Sequence, residues 1–596
     1  MSGKEITWDL TEIFTSYDDP KISKNMDSLR RQVDEFVKDY KGKINTSEFT
    51  AQNLLDLFKK QEKFFIDLQD LSIYANRLFD ANMMVSPVET LKSNIEDFET
   101  ETLKKLTFFE LEVGKLIYSR KEMIEDPILK EYKHYLEKIQ REVPHQLSEV
   151  EEQLILEKDQ YGIKSWSELQ SRWLNTREYK VAVEGKEKVL SYGEANGLIT
   201  HHDHNTRISA NKSIYGKLGD DKVVYSYALK NICGDWIKIT KRRKLDNPMH
   251  HSLIANDTSQ EIIDNLMKTI EANVEIYRRY LRIKAKLLNV PKLSCADVQA
   301  PLLGVSKKKY PWNQTKTIIL EAYRNFDITF EEYAKDMFEK AHIDAAVRKG
   351  KTNGAYCDTW YKGKTAYILL SFTEKLKEVY TLAHELGHAI HAYLASRNNS
   401  YFNHHPGSTV AETASIFGEL LLTDLLLKRA DSDEEKKIIL AHVLDEAGQS
   451  AFQVSARVWF EQSLYKAMES GENLDGPTIS KYWCAGRDKI YGDSVEWFEE
   501  MDYEWAMKQH YFIPNYRYYN YPYVYAQLFV YALYQKYKEE GENFVPKFIK
   551  LLSKGGSLSP ENLAKIVDLD ITKPDFWKLG IKQYEEFVNL LEKLIK

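Results

Sequence analysis

Between Leu376 and Ile390 the chain lays a run of ligating side chains, His384-Glu385-Leu386-Gly387-His388, on an apolar helical stripe, and few folds can carry that run. Leu376, Val379, Ala383, Leu386 and Ile390 recur at three- and four-residue spacing, so the segment is expected as a helix buried along one side. Ser371 followed by Glu374 has the pattern of a capping box and is expected to open it. At about 100° per residue the two histidines share a face, roughly 140° from the centre of the stripe. Four residues rise about 6 Å, which lets imidazoles on adjacent turns converge on one zinc ion with bonds of about 2.0 to 2.1 Å. Glu385 lies to one side, placed to take a proton from an activated water without ligating. Gly387 costs about 1 kcal/mol relative to Ala inside a helix, which points to the close approach of another part of the backbone.

A catalytic zinc takes three protein ligands and leaves a corner for water. His391 is on the same face but about 4.5 Å further along the axis than His388, too far to close the same sphere. A third histidine six residues past His388 is absent, since Leu394 stands there. Glu412, 24 residues after His388, opens a second apolar-periodic segment, Thr409 to Glu419, and is expected as the third ligand. Glu419 shares its face and either accepts a ligand-histidine N–H or is a solvated carboxylate. His405, seven before Glu412, either reaches substrate or is an ordinary loop residue.

The rest of the chain bounds the setting. Its 596 residues with 83 Lys+Arg against 90 Asp+Glu give a net charge of -7, so no global attraction draws it to nucleic acid or anionic lipid. Cys233, Cys295, Cys357 and Cys484 form no CxxC pair, which fits a reducing cytoplasm. The Tyr518–Gln535 stretch is interrupted by Asn520, Pro522 and Gln527 and is not expected to span a membrane. Long amphipathic periodicity from about Leu29 to Leu156, including Leu54, Leu57, Phe58, Phe64, Phe65, Leu68 and Leu71, predicts a helical wall. Punctuation between Tyr192 and His204 places a boundary near residue 200, dividing an N-terminal helical lobe, 1–200, from a catalytic domain, 201–596. The one clear strand-like region is Gly354 to Phe372. The fold class is mainly α with a small β-sheet. The His201-His202-Asp203-His204 run is read as surface histidines.

Ten of the 38 tyrosines fall within the 27 residues from Tyr511 to Tyr537, where an even spread would put about 1.7. Phenols beside a metal can donate to the oxyanion formed when water attacks a peptide carbonyl. With the blocks His384 to His391, Ala411 to Ser415 continuing to Glu419, and this tyrosine-rich segment in that order, the chain resembles the zinc oligopeptidases of the thimet oligopeptidase family, most of all its oligopeptidase F branch. Trp8-Asp9-Leu10 and Asp297 to Leu302 extend the likeness over nearly the whole chain.

The resemblance implies two helical lobes around a deep substrate channel with a zincin-type core, and one Zn2+ per chain. It implies a zinc-dependent endopeptidase acting on short unfolded peptides, with neither nucleic acid nor membrane as partner and the oligomeric state open. It maps oxyanion donors onto His510 and Tyr523 and substrate contacts onto Tyr519 and Tyr525. Where better-known relatives carry Gly-Gly before the first of these tyrosines, this chain has Tyr518-Tyr519-Asn520-Tyr521-Pro522. The strand near Gly354 and Ala355 is then either an edge that pairs with extended peptide or an ordinary hairpin. The alternatives are a metallocarboxypeptidase or dipeptidase with the same zinc site, using Arg517 as clamp for a terminal carboxylate, and an inactive helical binding protein.

Overall fold

A computed structural model of the chain describes residues 5–302 and 308–596. Helices make up 71% of it, with only small sheets between them. The chain divides into two compact units, and each draws on three separated stretches. The first takes Met1–Val143, Lys308–Lys428 and Lys536–Asp570; the second takes Pro144–Lys307, Arg429–Gln535 and Ile571–Lys596. The boundary expected near residue 200 runs along the chain; in space each unit uses residues from both sides of it.

In the first unit, helices α1 (Pro20–Tyr40), α2 (Ala51–Ala81), α3 (Ser86–Leu106) and α4 (Phe108–Ser119) form the helical wall. The α2 stripe does what its spacing predicts: Leu54, Leu57, Phe58, Phe64, Leu68 and Leu71 are buried and Phe65 packs at the margin. Thr50 opens α2 in a reciprocal box with Asn53, which satisfies donors left free at a helix start. The same core takes in Trp360, Tyr367 and Leu369 from a three-stranded sheet. That sheet comprises β1 (Ile343–Asp344), β2 (Tyr356–Trp360) and β3 (Thr365–Leu369), in the order β1-β3-β2. β2 runs antiparallel to β3, with Tyr356 facing Leu369 and Trp360 facing Thr365. The expected hairpin between Gly354 and Phe372 is therefore present, with β2 at the sheet edge.

Helix α5 (Leu376–Asn398) follows the sheet, and α6 (Thr413–Arg429) follows a short turn of helix at Ser408–Ala411. α5 begins later than Ser371 and Glu374 suggest, because Glu374 takes a left-handed φ of 64°. Glu378 supplies the cap instead, accepting the Lys375 N–H at 2.7 Å and the Thr373 hydroxyl at 2.8 Å. The stretch 536–570 closes on the loop after α5: Asn399 Nδ2 donates to the Ser553 carbonyl at 2.7 Å and the Gly556 N–H to that of Asn403 at 2.8 Å.

The second unit contains α7 (Val454–Glu469), α8 (Gly476–Tyr491) and most of α9 (Tyr521–Glu540). α7 and α8 cross at Gly486, where a Cβ would lie 2.6 Å from the Ala456 carbonyl oxygen. The second unit also holds a hairpin that strand patterning overlooked, Tyr179–Val183 paired with Lys186–Leu190. Its signal was the turn: Glu184 and Gly185 both take positive φ, 48° and 80°, the two-residue geometry that matches strand twist. Among the described residues no helix is long and apolar enough to cross a membrane.

Candidate metal centre

Two turns of α5 and the start of α6 bring three electron-rich atoms together in the first unit. His384 Nε2 and His388 Nε2 lie 3.2 Å apart, and each is 3.2 Å from Glu412 Oε2. Gly387, between the histidines, makes this possible: a Cβ there would sit 2.5 Å from both the Ala414 carbonyl oxygen and Ser415 Cα. The helices thus cross backbone to backbone, as the cost of a mid-helix glycine suggested, and the crossing carries Glu412 and Glu419 to the histidine face. His384 Nδ1 meets Glu419 Oε1 at 2.5 Å. Donating there fixes the ring's tautomer and leaves Nε2 with its lone pair toward the centre. Ser415, named in the sequence only as the end of the block Ala411 to Ser415, donates its hydroxyl to Glu412 Oε2 at 2.7 Å and steadies that carboxylate.

The electrostatics favour a cation among these atoms. Burial opposes charge on His384, yet its hydrogen bonds to Glu412 and Glu419 outweigh burial and hold its pKa well above the usual value. Burial likewise pushes Glu412 up, but the His384 and His388 bonds pull it well below the carboxylate range. Glu385 is 6% exposed, and burial raises its pKa, partly opposed by His384 and His388. A carboxyl raised in this way is a better proton acceptor than an ordinary glutamate near neutral pH. His391 stands outside the group, buried, its pKa pushed down to about 3.

The other expected residues are placed as follows. Gly354 and Ala355 are exposed just before β2, with Gly354 at φ 98°. His405 is exposed and packs tilted against His404, ring centroids 4.0 Å apart. In the second unit, His510 stacks on Tyr519 at 4.2 Å and the Tyr519 and Tyr523 hydroxyls meet at 2.5 Å. Tyr523 is 44% exposed. Tyr525 requires correction as a substrate contact: it is 0% exposed, on the inner face of α9 against Phe529 and Trp577. Arg517 is not free to clamp a carboxylate either. It is 5% exposed and donates to the carbonyls of Tyr511, at 2.6 Å, and Ile513.

A sequence profile of Peptidase family M3 matches residues 198–582, well over half of the chain. The chain belongs to peptidase family M3. A profile described as Oligopeptidase F matches residues 120–172. The oligopeptidase PepF of Bacillus subtilis is 26% identical over 596 residues, covering 99% of this chain and 87% of the relative. The group B oligopeptidase PepB of Streptococcus agalactiae is 26% identical over 602 residues, covering 99% and 97%. A crystal structure from Chlamydophila abortus shares the fold with a TM-score of 0.85 at 21% identity, covering 99% and 98% of the two chains. The oligoendopeptidase-F of Enterococcus faecium does so at 0.70 and 20% identity, covering 96% and 99%. As an M3 chain the protein is a peptide-hydrolysing metallopeptidase, mainly α with small sheets.

Two further clusters lie in the second unit of this M3 peptidase. Glu184, His201 and His202 also bring ligand atoms within 4.8 Å of one another. There, however, His201 Nδ1 accepts the Asp203 N–H at 3.1 Å, so in the neutral ring Nε2 carries the hydrogen and has no lone pair to give. The tyrosine loop is tied by Glu461 of α7, whose Oε1 accepts the Tyr518 N–H at 2.8 Å. Tyr518 takes the left-handed φ that glycine favours, 52°, and this bond holds it there. Burial raises the Glu461 pKa from 4.5 to about 7. A carboxyl bound to its proton more tightly when folded stabilises the fold fully below pH 4.5, and that contribution is lost as pH rises through 7, by about 3 kcal/mol. Wild type should lose about that amount of unfolding free energy relative to Glu461→Gln between pH 4.5 and 8; a difference between the two that does not change with pH would show that Glu461 titrates normally.

Proposed function

We propose that the chain is a zinc-dependent endopeptidase of short peptides in the cytoplasm, one zinc per chain, held by His384, His388 and Glu412. The observation that carries this reading is the triangle of Nε2, Nε2 and Oε2 atoms with 3.2 Å edges. Tetrahedral zinc with bonds of about 2.0 to 2.1 Å needs ligand atoms about 3.3 Å apart, so the donor set fits it. When bound, zinc supplies a Lewis acid and lowers the pKa of water to about 7.

The chain's own residues supply the rest. Glu385 takes the proton of the attacking water and returns it to the leaving amine, a transfer its raised pKa favours. Glu419 holds His384 in the ligating tautomer. We extend the proposal to His510 and Tyr523 as oxyanion donors, on the chemistry of an exposed phenol and an imidazole held side by side through Tyr519. The restriction to short peptides rests on the oligopeptidase names of relatives matched over nearly their full lengths. All four cysteines are unpaired, which suits a reducing compartment. The engagement of Arg517 with main-chain carbonyls weighs against a carboxypeptidase.

The test is hydrolysis of one quenched peptide with free and with amidated C-terminus, alongside metal analysis. Equal internal cleavage and one bound zinc are expected. Release of the C-terminal residue from the free peptide alone, or a protein that hydrolyses without metal, would overturn the proposal.

A further inference from the structure

β2 has a free edge beside the proposed base. In its antiparallel pairing, alternate residues turn their N–H and C=O groups toward β3 and away from it. β3 directs Ile368, whose N–H bonds the His342 carbonyl, toward the opposite side of the sheet. Leu369, Tyr367 and Thr365 therefore face β2 and bond Tyr356, Asp358 and Trp360. The main-chain groups of Ala355, Cys357, Thr359 and Tyr361 point outward. β2 packs against α5, the helix that carries Glu385, and burial first, then the charge of Glu385, push the Cys357 thiol well up. An open edge running past a peptidase's base is a template for an extended peptide.

The edge is not open along its whole length. Gln69 of α2 donates from Nε2 to the Thr359 carbonyl at 3.1 Å and accepts the Tyr361 N–H on Oε1 at 2.9 Å. Its amide thus bonds the C=O of one residue and the N–H two residues on, as a single residue of an added parallel strand would. Neighbouring side chains of α2 hold this end of the strand in place. Asp70, buried, accepts the Trp360 indole N–H at 2.7 Å and Lys362 Nζ at 2.6 Å. The outward groups of Ala355 and Cys357 and the Thr359 N–H have no partner among the described residues.

We infer that Gln69 is an end-stop of the substrate groove. Building on the peptidase reading above, a peptide pairs along Ala355 to Cys357 and must leave the edge at Thr359, because the side-chain amide already fills the next pairing step. Gln69 thereby sets how many substrate residues on that side contribute to binding, without touching the scissile bond.

The test uses peptides extended one residue at a time at either end, cleaved by wild type and Gln69→Ala, with cut positions read by mass spectrometry. In wild type, kcat/KM should stop rising with extension on one side. In Gln69→Ala it should rise over two further residues, by about fivefold for each of the two main-chain hydrogen bonds the freed step offers and about thirtyfold in all. A variant that is merely loosened loses rate equally at every length, and an unchanged length profile overturns the end-stop. Backbone N-methylation of the peptide, scanned on wild type alone, supplies a second reading. Sensitivity should end at the same residue where extension stops helping, and sensitivity continuing to the peptide's end overturns the inference. If neither protein cleaves any peptide, the peptidase reading fails and the end-stop with it.

Discussion

Glu385→Gln should lower kcat by about 10^2- to 10^4-fold while metal content and melting temperature stay unchanged. The amide matches the carboxylate in shape, so packing at this buried position is kept, and the histidines on either side keep their ligating atoms. What is lost is the ability to take a proton. The raised pKa of Glu385 places it nearer the working pH than an ordinary glutamate, where a base gains most from accepting and returning the same proton. Metal analysis beside steady-state kinetics checks the point. An unimpaired Gln variant would move the base to another residue.

Glu412→Ala should abolish both metal retention and hydrolysis. Its Oε2 is the corner that the two imidazoles share, and it alone brings a formal negative charge to the triangle. Without it two neutral nitrogens remain, and the Ser415 hydroxyl keeps only the main-chain carbonyl of residue 412 as acceptor. Metal titration of melting temperature gives a readout independent of catalysis. Wild type should gain about 4 kcal/mol at a thousandfold excess of zinc over Kd, and the variant should gain nothing. Equal stabilisation of both proteins would remove Glu412 from the ligand set.

Much of this centre could be read before any coordinates. His384 and His388 are set by helical repeat alone, and Glu412 and Glu419 by the same repeat on the next apolar segment, because local periodicity determines which side chains share a face. The hairpin ending at Phe372 was legible for the same reason. What escaped is pairing across distance. Nothing near Gln69 announces that its amide meets a strand 290 residues away, and nothing near Glu461 announces the Tyr518 N–H. Tyr525 and Tyr523, two residues apart on α9, point to opposite faces by the helical repeat, but which of the two faces turns to the core is decided by tertiary packing. Arg517 looked available as a cation because its carbonyl acceptors come from loop geometry. The start of α5 moved because Glu374 adopts a conformation that composition does not signal.

The interleaving of the two units has a consequence for biosynthesis. On the ribosome, both helices of the candidate metal centre are complete once Arg429 has emerged, but the segment that bonds the Asn399 to Asn403 loop arrives only with Ser553 and Gly556. At about 5 to 20 residues per second, that delay is on the order of ten seconds. A nascent chain, or one truncated before residue 536, would hold its ligands on a unit without its closing piece. The unit that carries His384, His388 and Glu412 would be completed only when the stretch 536–570 has followed, well after its own helices have formed.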